Sequence, residues 1–212
     1  MNPVTEQVLR QRIVSILRNV PDEHLVKAVG VLAGNGIRAV EVTLNTPGAL
    51  EQIARLRKEY GNEMLIGAGT VITGEDAEAA IRAGAAFLIT PCVTEEAATV
   101  AREAGIPVYM GAMTPSEIVR ASRLGADIVK VFPCGSLGPG YLKEVLAPLN
   151  GTPLMAVGGV APENVGEYLR AGAVCAGVGG SLVSARDFTL DGWELLLADR
   201  SRRYVEAIAK VL

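Results

Sequence analysis

The stretch Gly105-Ile-Pro-Val108-Tyr-Met110-Gly-Ala-Met-Thr114-Pro115-Ser116-Glu117-Ile-Val-Arg-Ala-Ser-Arg-Leu-Gly125-Ala-Asp127-Ile128-Val-Lys130-Val-Phe132-Pro133 holds one whole structural unit and the start of the next. Val108 to Met110 is a short apolar run with strand composition. Thr114, with Glu117 three residues on, predicts a reciprocal helix cap, and Pro115 stands where a first helical turn tolerates proline. Gly125 then ends the helix as a left-handed glycine does, and Ile128 to Phe132 opens the next strand.

The same unit recurs along the chain. Glycines that read as helix C-caps stand at Gly36, Gly61, Gly84, Gly105, Gly125, Gly151 and Gly172, at intervals of 20 to 26 residues. The apolar runs are Ala39 to Leu44, Leu65 to Ala68, Phe87 to Thr90, Val108 to Met110, Ile128 to Phe132, Leu154 to Val157 and Cys175 to Val178; Ile13 to Leu17 makes eight. Thr46-Pro47, Thr73, Thr94 and Ala161-Pro162-Glu163 read as further helix starts. Eight strand–helix units predict a single (β/α)8 barrel domain over residues 1–212. The rival, an open doubly wound sheet, usually needs fewer strands and shows one dominant glycine-rich turn near its start. Residues 3–12 read as a short extra N-terminal helix across the bottom of the barrel. Asp191-Gly-Trp193-Glu194 reads as the start of a last helix, with acids at N-cap and N3. Its stripe Trp193, Leu197, Tyr204, Ile208 and Leu212 packs on the barrel wall or on a subunit partner.

Composition narrows the chemistry. Lys plus Arg number 20 and Asp plus Glu 23, for a formal charge of -3, with no basic stripe to follow a phosphate backbone, so nucleic acid is not an expected partner. No apolar run approaches bilayer length, and Ile13 to Leu17 is too short for a secretion signal, so no membrane association is expected. Cys92, Cys134 and Cys175 lack metal-site or disulfide spacing, which points to a reducing cytoplasm; Cys92 and Cys134 read as small packing residues. The only histidine, His24, follows Asp22, an apparent N-cap, and reads as a surface residue in a first helical turn. Histidine-based triads and most histidine metal sites are therefore poor fits.

Two charges face the wrong way. In the sixth strand, period-2 alternation puts Ile128, Lys130 and Phe132 on one face and Val129 and Val131 on the other. In the second, Ala39, Glu41 and Thr43 share a face opposite Val40, Val42 and Leu44. Burying either charge unpaired costs several kcal/mol, and proteins avoid this or shift the pKa. One reading is a buried ion pair that only fixes packing. The other is chemistry: a free lysine is roughly 0.04% neutral at pH 7, and burial that lowers its pKa to about 7 to 8 raises that fraction by two to three orders of magnitude. Such an amine attacks a ketone to form an iminium, and Glu41, held a water or substrate atom away, moves the protons.

The loops after the last two strands are both glycine-rich: Val157-Gly158-Gly159-Val160 and Val178-Gly179-Gly180-Ser181. In barrels these loops commonly bind a phosphate through backbone N–H groups. Arg18, Asn45, Thr70 and Thr90-Pro91 end strands at the same rim, and Arg18 suits a carboxylate or a phosphate held bidentately.

Glu41-Val-Thr-Leu, Gly67-Ala-Gly-Thr70, Thr90-Pro91, Met113-Thr-Pro115, Lys130-Val-Phe132-Pro133 and Val157-Gly-Gly159, in this order and spacing, resemble the class I aldolases for 2-keto-3-deoxy-6-phosphogluconate (KDPG) and its galactonate epimer. That family includes enzymes that also cleave 4-hydroxy-2-oxoglutarate (KHG). The likeness runs from about Ile13 to Val183. It implies Lys130 as the Schiff-base lysine, Glu41 as the proton-transfer residue, Thr70 and its neighbourhood on the pyruvate carboxylate, and Arg18, Asn45, Pro91 and Phe132 among the substrate-binding residues. It further implies Gly158, Gly159, Gly179, Gly180 and Ser181 around the phosphate, no metal or other cofactor, and a cytoplasmic homotrimer. Asn45 stands where many gluconate-type members have Arg, and Leu44-Asn45-Thr46-Pro47 with Ile16-Leu17-Arg18 looks more like the galactonate type. Met110-Gly111 replaces the frequent Pro-Gly. The implied substrate is a phosphorylated 2-keto-3-deoxy sugar acid of either epimer, cleaved to pyruvate and glyceraldehyde 3-phosphate. Two other readings use the same glycine loops: a phosphate-binding isomerase or epimerase, and a non-catalytic phosphometabolite-binding protein.

Overall fold

The repeat closes on itself. In the computed structural model, which describes residues 2–211, the parallel strands β1 (Ile13–Leu17), β2 (Ala39–Thr43), β3 (Leu65–Gly69), β4 (Leu88–Ile89), β5 (Val108–Ala112), β6 (Ile128–Val131), β7 (Leu154–Val157) and β8 (Ala173–Val178) pair in sequence order. β8 returns to β1, completing a closed barrel. The outer helices are α2 (Asp22–Gly34), α3 (Ala49–Tyr60), α4 (Gly74–Arg82), α5 (Glu95–Ala104), α6 (Pro115–Arg123), α7 (Gly138–Leu146), α8 (Val165–Arg170) and α9 (Trp193–Ala209), preceded by α1 (Pro3–Gln11). No described helix is long and apolar enough to cross a membrane.

Local chemistry sets most boundaries. Thr73 with Asp76 and Thr114 with Glu117 form reciprocal capping boxes at the starts of α4 and α6. Gly36, Gly84, Gly105, Gly125, Gly151 and Gly172 adopt φ between 70° and 108° at or past helix ends. Gly61 differs: its φ is -63°, and the chain continues in a further turn closed by the Glu63 and Met64 N–H groups on the Tyr60 carbonyl.

Other cap expectations need correction. Asp22 is the first residue of α2, and Pro21 holds the N-cap position. Thr46-Pro47 does not open α3, whose N-cap is Gly48, because the Thr46 hydroxyl is engaged with the neighbouring loop. Thr94 is an N-cap by position without a side-chain bond. Asn164, rather than Ala161-Pro162-Glu163, precedes α8. Gly192 takes the N-cap of α9, so Asp191 and Glu194 form no box. In α9, Trp193, Leu197, Tyr204 and Ile208 are buried as expected; Leu212 lies outside the described residues.

Two hydrophobic layers result. Outward strand residues such as Val40, Val42, Val129 and Val131 pack beneath the helices. The barrel interior holds Val14, Ile16, Ala39, Leu65, Phe87, Ile89, Tyr109, Ile128, Met155, Val157 and Cys175, with Val8 of α1 entering from below. Thr5 on α1 lies 3.4 Å from both the Asp127 carboxylate and the Tyr109 hydroxyl, which fastens the plug. Phe87 and Tyr109 stack at 5.4 Å and fill the lower half. The upper half is built from glycines instead, at Gly69, Gly111 and Gly177, where added Cβ atoms would strike Glu41, the Pro91 backbone and Val157.

Lower down, a Cβ at Gly67 would approach the Phe87 ring to 2.2 Å. Gly67→Ala is expected to destabilise the protein by about 1–3 kcal/mol through overpacking, read as a lower urea midpoint at unchanged m. A midpoint equal to wild type contradicts this packing.

Candidate active site

The site follows from strand alternation and from the missing side chains above it. Lys130 enters the barrel from β6, flanked in register by Gly111 of β5 and Met155 of β7. It is 5% exposed, and its Nζ lies 5.1 Å from the centre of the Phe132 ring, which stands 37% exposed at the mouth. Glu41, 1% exposed, enters from β2 with its carboxylate in the space a Cβ at Gly69 would occupy. A larger residue at 69 would expel that carboxylate.

The two charges do not pair. Lys130 and Glu41 are absent from the ion pairs found within 4.0 Å among the described residues, and Glu41 Oε2 is buried without a hydrogen-bond partner. Burial pushes the Lys130 amine below its ordinary value; Glu41 opposes this and Arg18 reinforces it. Burial raises the Glu41 carboxyl, against the pull of Lys130 and Arg18. Desolvation thus favours the neutral form of each group, an amine and a carboxylic acid, over its charged form.

Above Lys130 opens a cavity of about 670 Å³, lined by Arg18, Lys130, Phe132, both glycine loops and the segment Val183–Arg186. Gly158 and Gly159 have φ of 90° and 72°, and a Cβ at Gly159 would come within 2.7 Å of Gly135, so this loop requires glycine. The Asn164 side chain ties the loop down, accepting from the Ala161 N–H and donating to the Gly159 carbonyl. The Ser181 hydroxyl donates to the Val160 carbonyl at 2.8 Å, and the Tyr204 hydroxyl lies 2.9 Å from that carbonyl and 2.8 Å from Ser181. Ser181 therefore fastens one glycine loop to the other with its side chain.

Of the residues singled out in the sequence, Arg18, Lys130, Phe132, Gly158, Gly159, Gly179, Gly180 and Ser181 meet at this cavity. Glu41, Asn45, Thr70 and Pro91 are not in its wall. Thr70 follows Gly69 in a left-handed conformation, φ 58°, beside the Glu41 pocket. Pro91 packs its backbone onto Gly111, the ladder neighbour of Lys130. Asn45 is exposed on the β2 side, away from the wall. Cys134 is buried, whereas Cys92 is exposed rather than a packing residue. His24 is half-buried, stacked on Phe188 and edge-on to Trp193.

Sequence reading missed the role of Thr46. Its buried hydroxyl accepts the Asn19 N–H at 3.0 Å and lies 3.1 Å from the Thr43 hydroxyl, holding Asn19 at φ 54° directly after Arg18. It also missed Ser184, Ala185 and Arg186, which carry no periodic or motif signal.

A family model for KDPG and KHG aldolases matches residues 4–197. The chain belongs to the KDPG and KHG aldolase family. It is accordingly a carbon–carbon lyase. It is 36% identical to the 2-dehydro-3-deoxy-6-phosphogalactonate aldolase of Escherichia coli over 174 residues, 82% of this chain and 85% of that one. A solved structure described as native KDPGal superposes with a TM-score of 0.87 at 32% identity, covering 94% and 95% of the two chains. A KDPG aldolase from Legionella pneumophila, with pyruvate captured as a covalent carbinolamine, superposes with a TM-score of 0.83 at 27% identity, covering 90% and 92%.

Within this aldolase barrel the raised Glu41 pKa makes a sign-definite prediction. Its stabilising contribution is fully present below the ordinary carboxyl value of 4.5 and is lost as pH rises through the raised value. Glu41→Gln lacks that titration, so its unfolding free energy relative to wild type is expected to climb from pH 4.5 upward in denaturant melts. A constant or falling difference contradicts the burial described here.

Proposed function

We propose that the protein is a Schiff-base aldolase that cleaves a 2-keto-3-deoxy-6-phospho sugar acid, the gluconate or galactonate epimer, to pyruvate and glyceraldehyde 3-phosphate. The observation that carries this reading is Lys130, an amine buried at the floor of the cavity with no carboxylate in contact. The neutral amine attacks the C2 ketone to give a carbinolamine. Loss of water, with Glu41 supplying the proton to the departing hydroxyl, gives the iminium. Glu41, now a carboxylate, takes the C4 hydroxyl proton; the C3–C4 bond breaks, its electron pair passes to the iminium, and the aldehyde leaves. Glu41 returns that proton to the enamine at C3, and water adds to the resulting iminium, giving its proton to Glu41 and releasing pyruvate and the neutral lysine amine.

The binding roles follow the cavity wall. The backbone N–H groups of the two glycine loops receive the phosphate, with Ser181 fixing the loops relative to each other. Arg18 offsets substrate charge, and Phe132 screens the imine at the mouth. Thr70 and Pro91 close the pyruvate end through the β3 and β4 loops, beside Glu41 and Gly111. Asn45, exposed on the β2 side outside that wall, contacts the hydroxyls of a substrate that extends from Lys130 towards Glu41, and bears on the choice of epimer. KHG, which keeps the same ketone and C4 hydroxyl, fits the same chemistry and yields pyruvate and glyoxylate.

Borohydride added with pyruvate is expected to leave a reduced three-carbon adduct on Lys130, found by peptide mass, and Lys130→Ala is expected to abolish both adduct and turnover. Activity retained in Lys130→Ala contradicts the scheme. Glu41→Gln is expected to slow pyruvate release about 10²-fold or more, while imine trapping falls less. Equal losses in both would remove Glu41 from the carbon–carbon step.

A further inference from the structure

Three cationic residues, Arg18, Lys130 and Arg186, line the cavity, and no Asp or Glu does. Lys130 works as an uncharged amine in the reading above, on which this inference rests. That leaves two fixed positive charges. Arg186 belongs to none of the motifs and lies five residues past Ser181, on the segment that leaves the second glycine loop.

The backbone of this segment is fastened from behind. The Asp187 N–H closes a turn on the Ser184 carbonyl at 3.0 Å, and the Thr189 hydroxyl donates to the Arg186 carbonyl at 2.9 Å. Asp187 pairs with Arg200 of α9, which also reaches the Leu182 carbonyl. Phe188 stacks on His24, with ring centres 5.4 Å apart and planes at 8°, and meets Trp193 edge-on at 4.8 Å. The only histidine of the chain thus acts as packing for this loop. Arg186 itself takes no part in the ion pairs or side-chain hydrogen bonds found among the described residues. Its neighbour uses its charge to hold the turn, and Arg186 keeps its own at the cavity.

We propose that Arg186 is a specificity-determining residue, a permanently charged cation on a fastened loop that favours substrates ending in a phosphate over substrates whose second charge lies close to the bond that breaks. With C2 held at Lys130, a 6-phospho sugar acid carries its dianion on C6, two carbons beyond C4. In KHG the second carboxylate is attached directly to C4. Backbone N–H groups donate to any oxyanion, whereas the Arg186 guanidinium also adds net charge and a two-pronged donor at the far end. Because Arg186 is exposed, screening holds the effect to a modest size.

The test is steady-state pyruvate release by wild type, Arg186→Gln and Arg186→Lys with both phosphorylated epimers and with KHG. Arg186→Gln is expected to raise KM for the phosphorylated substrate about ten-fold, with kcat and the KHG parameters changed by less than about two-fold. Arg186→Lys is expected to keep most of the preference, and added salt to weaken it in wild type more than in Arg186→Gln. An unchanged KM for the phosphorylated substrate in Arg186→Gln overturns the proposal. So does an equal loss on both substrates, which would make Arg186 a prop for its loop. Wild type releasing pyruvate from neither substrate overturns the aldolase reading itself, and this proposal with it.

Discussion

Everything in the upper barrel depends on two opposite charges buried in one compartment without touching. A Lys130–Glu41 ion pair would stabilise both ionised forms and leave a packing device. Held apart, each group responds chiefly to desolvation, the amine losing its proton more readily and the carboxyl keeping its own. The proposed carbinolamine formation and dehydration call for an amine that gives up its proton and an acid that keeps one to donate, and both shifts run in that direction.

The rest of the fold maintains that separation. Closure of eight parallel strands fixes β2 and β6 on opposite arcs of the barrel, so their inward side chains face each other across its axis. Aromatic rings and the α1 plug fill the lower half and keep water from entering below. Gly69, Gly111 and Gly177 clear the upper half for a substrate and for the two charged side chains. The glycine loops, crosslinked through Ser181, Val160 and Tyr204, then cap one side with unencumbered backbone donors. Burial raises the Tyr204 hydroxyl to about 12, so this tie keeps its proton at neutral pH and well above it.

The sequence disclosed the architecture because the barrel repeats a local rule. A short apolar run recurs eight times and a terminal glycine seven, with capping boxes at Thr73 and Thr114 and a left-handed conformation at six of the glycines. Where that rule competes with tertiary demands, it fails. Thr46 looks like a cap, yet its hydroxyl serves the loop that carries Arg18. Asp191 looks like a cap, yet Gly192 takes the left-handed turn into α9. Lys130 and Glu41 were legible because a charge inside a β alternation has no cheap structural explanation. Arg186 was illegible because its position depends on Asp187, Phe188 and Arg200, contacts between α9 and a loop that no spacing encodes. Thr70, Pro91 and Asn45 stand at the rim as expected, but the side on which the cavity opens is set by β1 and β6 to β8.

The central claim is that the buried amine of Lys130 sheds its proton more readily than an ordinary lysine. NMR titration of the side-chain Cε and Nζ resonances, assigned by comparison with Lys130→Met, measures this directly. The account predicts a midpoint for Lys130 below 10.5, the value of a free lysine, and below those of the solvent-exposed lysines. A midpoint at or above 10.5 would contradict it.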